Sequence, residues 1–379
     1  MKHIKKLTIF TLLLLAMTTS MSNVAIVTAL PHLKDYFTHV DNIEFYSRLM
    51  LTLPSFVIAL LAPILGHIIF KYGKKRSVII ALIVFSMSGS AGLYLQTLEM
   101  LLFSRAIFGI AVATLMIVST SLIGDYFKEQ DRHKFMGYQS AFMALGGVVF
   151  VVGGGVLSDL NWRYSFGIYL IGFILLPFVM TQIKEVIVNT SNDEDVEINS
   201  NMYPIYFLAF FYMLIFFILP TQIPFLLIEE FKASGSFSGA IIAIAFVFNA
   251  FGAITFAKIK NKFSYSTIYL IGLFIIAIGF AGVGLINNTY LFYITSPLLG
   301  FGGGIMMTNI TAWMLSRTSI KKRVKISGYF TSAIFLGQFS SPIVFHPFVS
   351  YLGVQNFFFA IGISLLIIVV FSFAYIKIK

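Results

Sequence analysis

The chain has 379 residues, 58% of them apolar and only 11% charged, with 42 Phe and no Cys. Roughly a quarter of the residues of a soluble domain are charged, so an ordinary water-soluble fold is excluded, as are disulfides, thiolate metal sites and Cys nucleophiles. The formal net charge of +11 does not point to nucleic acid, because the cations recur between apolar stretches instead of gathering in one patch.

A basic start at Lys2, Lys5 and Lys6 leads into an apolar run over 7–30. That run is too long for a secretory core of about 7–15 residues, whereas about 20 apolar residues span a bilayer, so it is expected to be the first membrane helix. The same window predicts further helices at 46–70, 78–95, 100–124, 135–157, 164–183, 203–228, 238–257, 267–286, 291–315, 326–349 and 354–376. The expected fold is an all-α membrane protein with twelve transmembrane helices. Between the second and third lies 66–76, Gly-His-Ile-Ile-Phe-Lys-Tyr-Gly-Lys-Lys-Arg, a tight basic turn. Between the sixth and seventh lies the one extended polar segment, 184–202, read as a cytoplasmic linker between an N-terminal bundle, 1–183, and a C-terminal bundle, 203–379. With both termini in the cytoplasm, all 26 Lys and Arg residues fall on that side except Lys34, Arg48, Arg105, Arg163 and Lys232. This is the positive-inside pattern of a multi-pass protein of the cell membrane, and the heavy use of Ile, Lys, Phe and Asn fits an AT-rich bacterial source.

The two halves share marks. Gly109, Gly137-Tyr138, Gly146 and Phe166 recur 191 positions later as Gly300, Gly328-Tyr329, Gly337 and Phe357, and Gly66 with Phe70 matches Gly252 with Phe256. An ordered series of this kind indicates duplication into two pseudo-symmetric six-helix bundles. The turn at 66–76 resembles the signature of the major facilitator superfamily. Arg105-Ala-Ile-Phe-Gly109 resembles its Arg-x-x-x-Gly element. Asp125-Tyr-Phe-Lys-Glu-Gln-Asp-Arg132, Gly153-Gly154-Gly155, Asn161-Trp162-Arg163-Tyr-Ser-Phe166 and Gly337-Gln338-Phe-Ser-Ser-Pro342 resemble motifs of its 12-helix drug/proton antiporter branch, with Phe150-Val151 where a Gly-Pro pair stands in that branch. In the family an aspartate in the first turn joins a charge network that locks the halves. Here Phe70 occupies that position and Lys71 follows it. The gating residues implied are Gly66, Phe70, Lys71, Gly73, Lys74, Lys75, Arg76 and Asp125, with Asp125 pairing to Lys71 or Lys74 and Phe70 packing between the second and eleventh helices.

Arg105 has no acid within helical reach. A cation in hydrocarbon costs at least ~2.5–3.5 kcal/mol, so it is expected either to face a wet cavity with a partner or to snorkel to the outer headgroups. Arg48 follows Glu44 by four residues, the favoured order for an ion pair. Thr19, Ser22, Asn23, Gln139, Asn249, Asn309 and Gln338 lie near mid-depth, and Tyr212, Phe216 and Met307 add an adaptable apolar lining. Arg105, Asn23, Thr19, Gln139, Tyr212, Phe216, Asn249, Met307 and Gln338 are the candidate substrate and coupling residues. The glycines at 300, 302, 303 and 304 lie inside a helix with no preceding strand, which favours close packing over a nucleotide loop. His67 and His346 stand alone.

With no ATP loop, catalytic triad or metal cluster in the sequence, the expected protein is not an enzyme and uses no cofactor. It is a secondary active transporter, an exporter of small organic molecules or drugs working by alternating access in the lipid bilayer as a monomer. The resemblance implies protons as the coupling ion. No acid sits mid-helix, so Asp35, Glu44, Glu229 or Glu230 near the outer face would carry the proton, or the substrate itself would. An importer or uniporter would share the fold. A membrane enzyme would need convergent acids or nucleophiles, and a sensor an output domain.

Overall fold

The computed structural model describes residues 4–21, 24–127, 129–185, 201–318 and 323–378. The chain divides into two compact units, Met1–Asp195 and Val196–Lys379. The first holds α1 (Lys6–Met21), α2 (Ile43–Tyr72), α3 (Lys74–Gly89), α4 (Leu98–Tyr126), α5 (Glu129–Leu160) and α6 (Ile171–Gln182). The second holds α7 (Tyr203–Phe216), α8 (Gly235–Ile259), α9 (Tyr265–Gly284), α10 (Phe292–Ser316), α11 (Arg323–Leu352) and α12 (Val354–Ile378). Among the described residues no strand occurs, and ten helices are long and apolar enough to cross a membrane. The remaining two of the twelve are α1, with its shorter apolar stretch Lys6–Thr19, and α11, 30 residues long but diluted by Gln338, Pro342, His346 and Pro347.

The sixth helix, expected over 164–183, opens as a 3-10 stretch, Trp162–Leu170, before α6, and two others break where continuity was expected. The first was expected over 7–30 but ends at Met21, and the chain resumes as a buried 3-10 turn, Val27–Ala29, followed by a short helix, Leu33–Tyr36. Near its end the hydroxyls of Thr18 and Thr19 bond back to Leu15 O and Ala16 O at 2.7 Å. The seventh was expected to be continuous over 203–228. It breaks after Phe216, continues as Ile218–Phe225 and ends in a π-helical turn, Leu226–Glu230. Pro220 has no N–H for the carbonyl of Phe216, the residue four back, and that is where α7 stops.

Polar caps start several helices. Thr97 accepts from Met100 N at α4, Ser234 from Phe237 N at α8 and Ser264 from Thr267 N at α9.

Duplication is visible in the packing. In a bilayer, helices associate through close contact rather than a hydrophobic drive, so small residues mark the crossings. Gly109 on α4 lies against Pro54 on α2, where an added Cβ would meet the Pro54 carbonyl at 2.8 Å; Gly300 on α10 abuts the Ala245 carbonyl on α8. Met17 of α1 covers Gly146 on α5, and the Phe210 carbonyl of α7 covers Gly337 on α11. The glycines of these two repeat pairs thus meet the equivalent helix of their own unit. The pair Gly66 and Gly252 does not follow this pattern: a Cβ on Gly252 would strike Phe301 of α10, whereas a Cβ on Gly66 would meet nothing within 4 Å.

Candidate functional site

A single glycine joins α2 to α3. Gly73 has φ +91°, which only glycine adopts without strain, and it ends one helix while opening the next. It offers α3 no capping side chain, and Glu185 supplies the cap instead: its carboxylate accepts from Lys74 N at 2.6 Å and Lys75 N at 2.8 Å. An anion at a helix N-terminus meets both orphan N–H groups and the helix dipole. Lys74 Nζ pairs with Asp125 Oδ2 at 2.6 Å at the end of α4, their side chains 16% and 7% exposed. Lys75 Nζ donates to Met180 O at 2.7 Å on α6, and Lys184 N donates to the Tyr126 hydroxyl at 2.7 Å. Lys71 is exposed beside the Tyr72 ring, 5.6 Å from its centroid, and Arg76 is exposed. Of the two partners expected for Asp125, the structure shows Lys74. All these contacts lie inside the first unit and tie the ends of α3, α4 and α6 together. The Phe70 side chain lies outside those described. Its repeat mate Phe256 is buried beside Ile268 and Ile305.

Glu185 was not anticipated, since the sequence places it in the polar linker. The readable signal was an uncapped helix start after Gly73, which demands an acceptor from elsewhere.

Arg105 neither faces a wet cavity nor reaches for headgroups. It is 1% exposed and its guanidinium lies 4.9 Å from the ring centroids of Phe108 and Phe166 and 5.1 Å from that of Tyr169. It donates through Nη2 to Gly89 O at 2.9 Å, the last carbonyl of α3, and bonds to the Tyr169 side chain. Gly89 must be small for this cage to close, because an added Cβ would come within 2.6 Å of Tyr169. Arg163 works the same helix end: Nη1 donates to Gly92 O at 2.7 Å and Leu95 O at 2.8 Å while the group stacks on Trp162 and Tyr36. Two guanidinium groups therefore cover the C-terminal end of α3 and the turn after it, where backbone carbonyls lack helical donors and the dipole favours cations. Arg48 does pair with Glu44, at 3.3 Å, but it is fully buried, and Lys34 shares the same carboxylate at 2.8 Å.

The mid-depth residues divide. In the second unit Tyr212 is buried and stacks on Phe216 with centroids 5.5 Å apart, with Asn249 of α8 beside them. Gly303 on α10 lies against Phe216 and Asn249, its Cβ position 3.2 Å from Asn249 Nδ2, and Met307 follows one turn later. Gln338 is buried on α11, next to the Gly337 contact with α7, and its Nε2 has no hydrogen-bond partner. Tyr212, Phe216 and Asn249 are thus brought together in one unit, whereas Met307 lies one turn along α10 from Gly303 and Gln338 beside the contact between α7 and α11. Asn309 instead holds the start of α9 by donating to Tyr265 O at 2.9 Å. In the first unit the expected residues are not brought together. Met17 packs at the level of Gly146, which leaves Thr19 and half-buried Gln139 separated by about nine residues of rise, roughly 14 Å. Thr19 bonds to its own helix, and Asn23 and Ser22 lie outside the described residues. One polar group escaped the sequence reading: Gln222, in the broken part of helix seven, is buried with its Oε1 unbonded. The flanking prolines 220 and 224 were the clue. Among the described residues no group of three or more His, Asp or Glu could hold a metal ion.

A family model described as Major Facilitator Superfamily matches residues 12–193 and 205–379. Multidrug resistance protein 1 of Bacillus subtilis is 30% identical over 227 residues, which cover 56% of this chain and 57% of that protein. Tetracycline resistance protein, class H, of Pasteurella multocida is 25% identical over 350 residues, covering 86% of this chain and 85% of that one. Among solved structures, a bacterial homologue of the human lysosomal transporter Spinster, in an inward-facing and occupied conformation, superposes with a TM-score of 0.81 at 16% identity, covering 97% of this chain and 96% of the other. That likeness concerns the fold.

Proposed function

The chain belongs to the Major Facilitator Superfamily, and we propose that it is a secondary active exporter of small organic molecules, drugs among them, driven by protons. The observation that carries this reading is the packing of Tyr212, Phe216 and Asn249 around Gly303, with Gln338 on α11 buried and its Nε2 without a hydrogen-bond partner. Stacked rings accept varied flat apolar bodies, and a few fixed amides orient them. Resistance proteins among the relatives support a drug-like substrate. The distribution of Lys and Arg supports cytoplasmic termini, and with that orientation the Glu185 and Lys74–Asp125 contacts form a cytoplasmic clamp that keeps α3, α4 and α6 moving as one piece during alternating access.

For the proton, the outer acids differ in their settings. Glu44 is engaged by Lys34 and Arg48, Glu230 bonds to the backbone at Val354, and Asp35 is exposed. Glu229 lies in the π-helical turn with Oε1 shielded from solvent, and such turns concentrate at functional sites. We assign proton coupling to Glu229. In inside-out vesicles with an imposed pH gradient, wild type should accumulate tetracycline or a fluorescent organic cation. Glu229→Gln should lose gradient-driven uptake yet keep substrate counterflow, and Gln338→Ala should change the ranking of substrates. Full gradient-driven uptake by Glu229→Gln removes that residue from coupling, and uptake of neither probe by wild type removes the drug-exporter reading.

A further inference from the structure

We propose that a groove on the second unit holds an acyl chain of an anionic phospholipid whose phosphate rests on Lys260 and Arg317. The groove encloses about 700 Å³ between the first half of α7, the first half of α9 and the ends of α10 and α12. Its walls are chiefly Phe207, Phe211, Leu273, Trp313 and Phe371. The Tyr269 hydroxyl at its floor donates to Leu208 O at 3.1 Å, so it is already engaged. The volume falls in the range of small-molecule sites, about 300–1,000 Å³, and Phe371 at the rim is 72% exposed.

What selects the occupant is the mouth. Tyr265 and Trp313 stack with centroids 5.7 Å apart and planes 6° from parallel. Lys260 Nζ lies 3.9 Å from the Tyr265 ring centroid and the Arg317 guanidinium 5.5 Å from that of Trp313. The result is a ladder of cation, ring, ring and cation, fixed in place by the Asn309 bond to Tyr265 O. An apolar slot opening beside paired cations and interfacial aromatics is complementary to a lipid with an anionic head. A cationic amphiphile fits the slot but is repelled at its mouth.

The test uses the full-length protein in detergent, with bound lipid counted by native mass spectrometry. Phosphatidylglycerol and phosphatidylcholine with identical chains are the probes, and glycerol phosphate is the competitor without a chain. Wild type should retain phosphatidylglycerol with at least roughly tenfold preference, since each surface cation contributes about fivefold. Lys260→Gln with Arg317→Gln should bring that preference close to one. Ser372→Trp, which fills the slot and leaves the cations, should weaken retention of both lipids. Glycerol phosphate should not compete. Equal retention of the two lipids by wild type overturns the proposal, as does an unchanged preference in both variants or displacement by glycerol phosphate. So does a preference that emerges only when Asp193, Glu194, Asp195 and Glu197 are changed to amides, because the chain's own acidic segment would then be the occupant.

Discussion

A guanidinium enclosed by three rings and bonded to one helix-end carbonyl places demands that an ammonium cannot meet. The flat, weakly hydrated group of Arg105 lies among Phe108, Phe166 and Tyr169 while reaching Gly89 O; a Lys would keep its charge but not the stacking. Arg105→Lys should therefore lower stability on the order of 2 kcal/mol, the scale of a desolvated cation–π contact, read as the thermal unfolding midpoint in detergent. A Lys variant as stable as wild type would contradict the cage. Lys74 and Asp125 pose a different problem, because both are largely buried and each would be left uncompensated without the other. Asp125→Asn and Lys74→Gln should each cost about 3 kcal/mol, and the double variant much less than their sum. Additive losses would show that the pair is not coupled. The sequence placed Asp125 near the basic turn; the choice between Lys71 and Lys74 needed the start of α3, which turns the first toward solvent and the second toward α4.

At the scale of elements, the turn between α2 and α3 is built from one glycine and one distant carboxylate. Gly73→Ala should cost ~1–3 kcal/mol, since φ +91° is open to glycine alone, and the new Cβ would also press on the Glu185 carboxylate at 3.1 Å. Glu185→Gln keeps the shape and removes the charge, so about 0.5–2 kcal/mol of capping is at stake. Hydrogen exchange at the amides of Lys74 and Lys75 should quicken in Glu185→Gln while the middle of α3 stays protected; unchanged exchange there would rule out the cap. Helix existence was legible throughout, because a run of about 20 apolar residues has few other folds in a bilayer. Helix breaks were less so. The break in helix seven follows from Pro220, a local effect that a hydropathy window averages away.

For the whole molecule, duplication makes a comparative prediction. Gly109→Ala and Gly300→Ala should both be damaging, because each added methyl meets a carbonyl of the equivalent neighbouring helix. Gly66→Ala should be close to silent and Gly252→Ala harmful, because only the second unit closes that contact. Expression and unfolding midpoints of the four variants check this, and equal effects at 66 and 252 would contradict the broken symmetry. By itself the sequence determined the all-helical membrane fold, the paired halves and the family, because length, apolarity and repeated glycines are properties of residue order. It could not determine partners. Arg105 looked like a substrate contact because its cage is drawn from Gly89, Phe166 and Tyr169, on different elements. Glu185 looked like linker because the helix it caps begins 111 residues earlier. Tyr212 and Asn249 could be named as polar candidates but not as neighbours, and the lipid-facing groove combines ends of four helices. Only tertiary structure decides such matters, since a buried charge or amide is satisfied by whatever the fold brings within about 3 Å of it, and that distance is set by packing rather than by position along the chain.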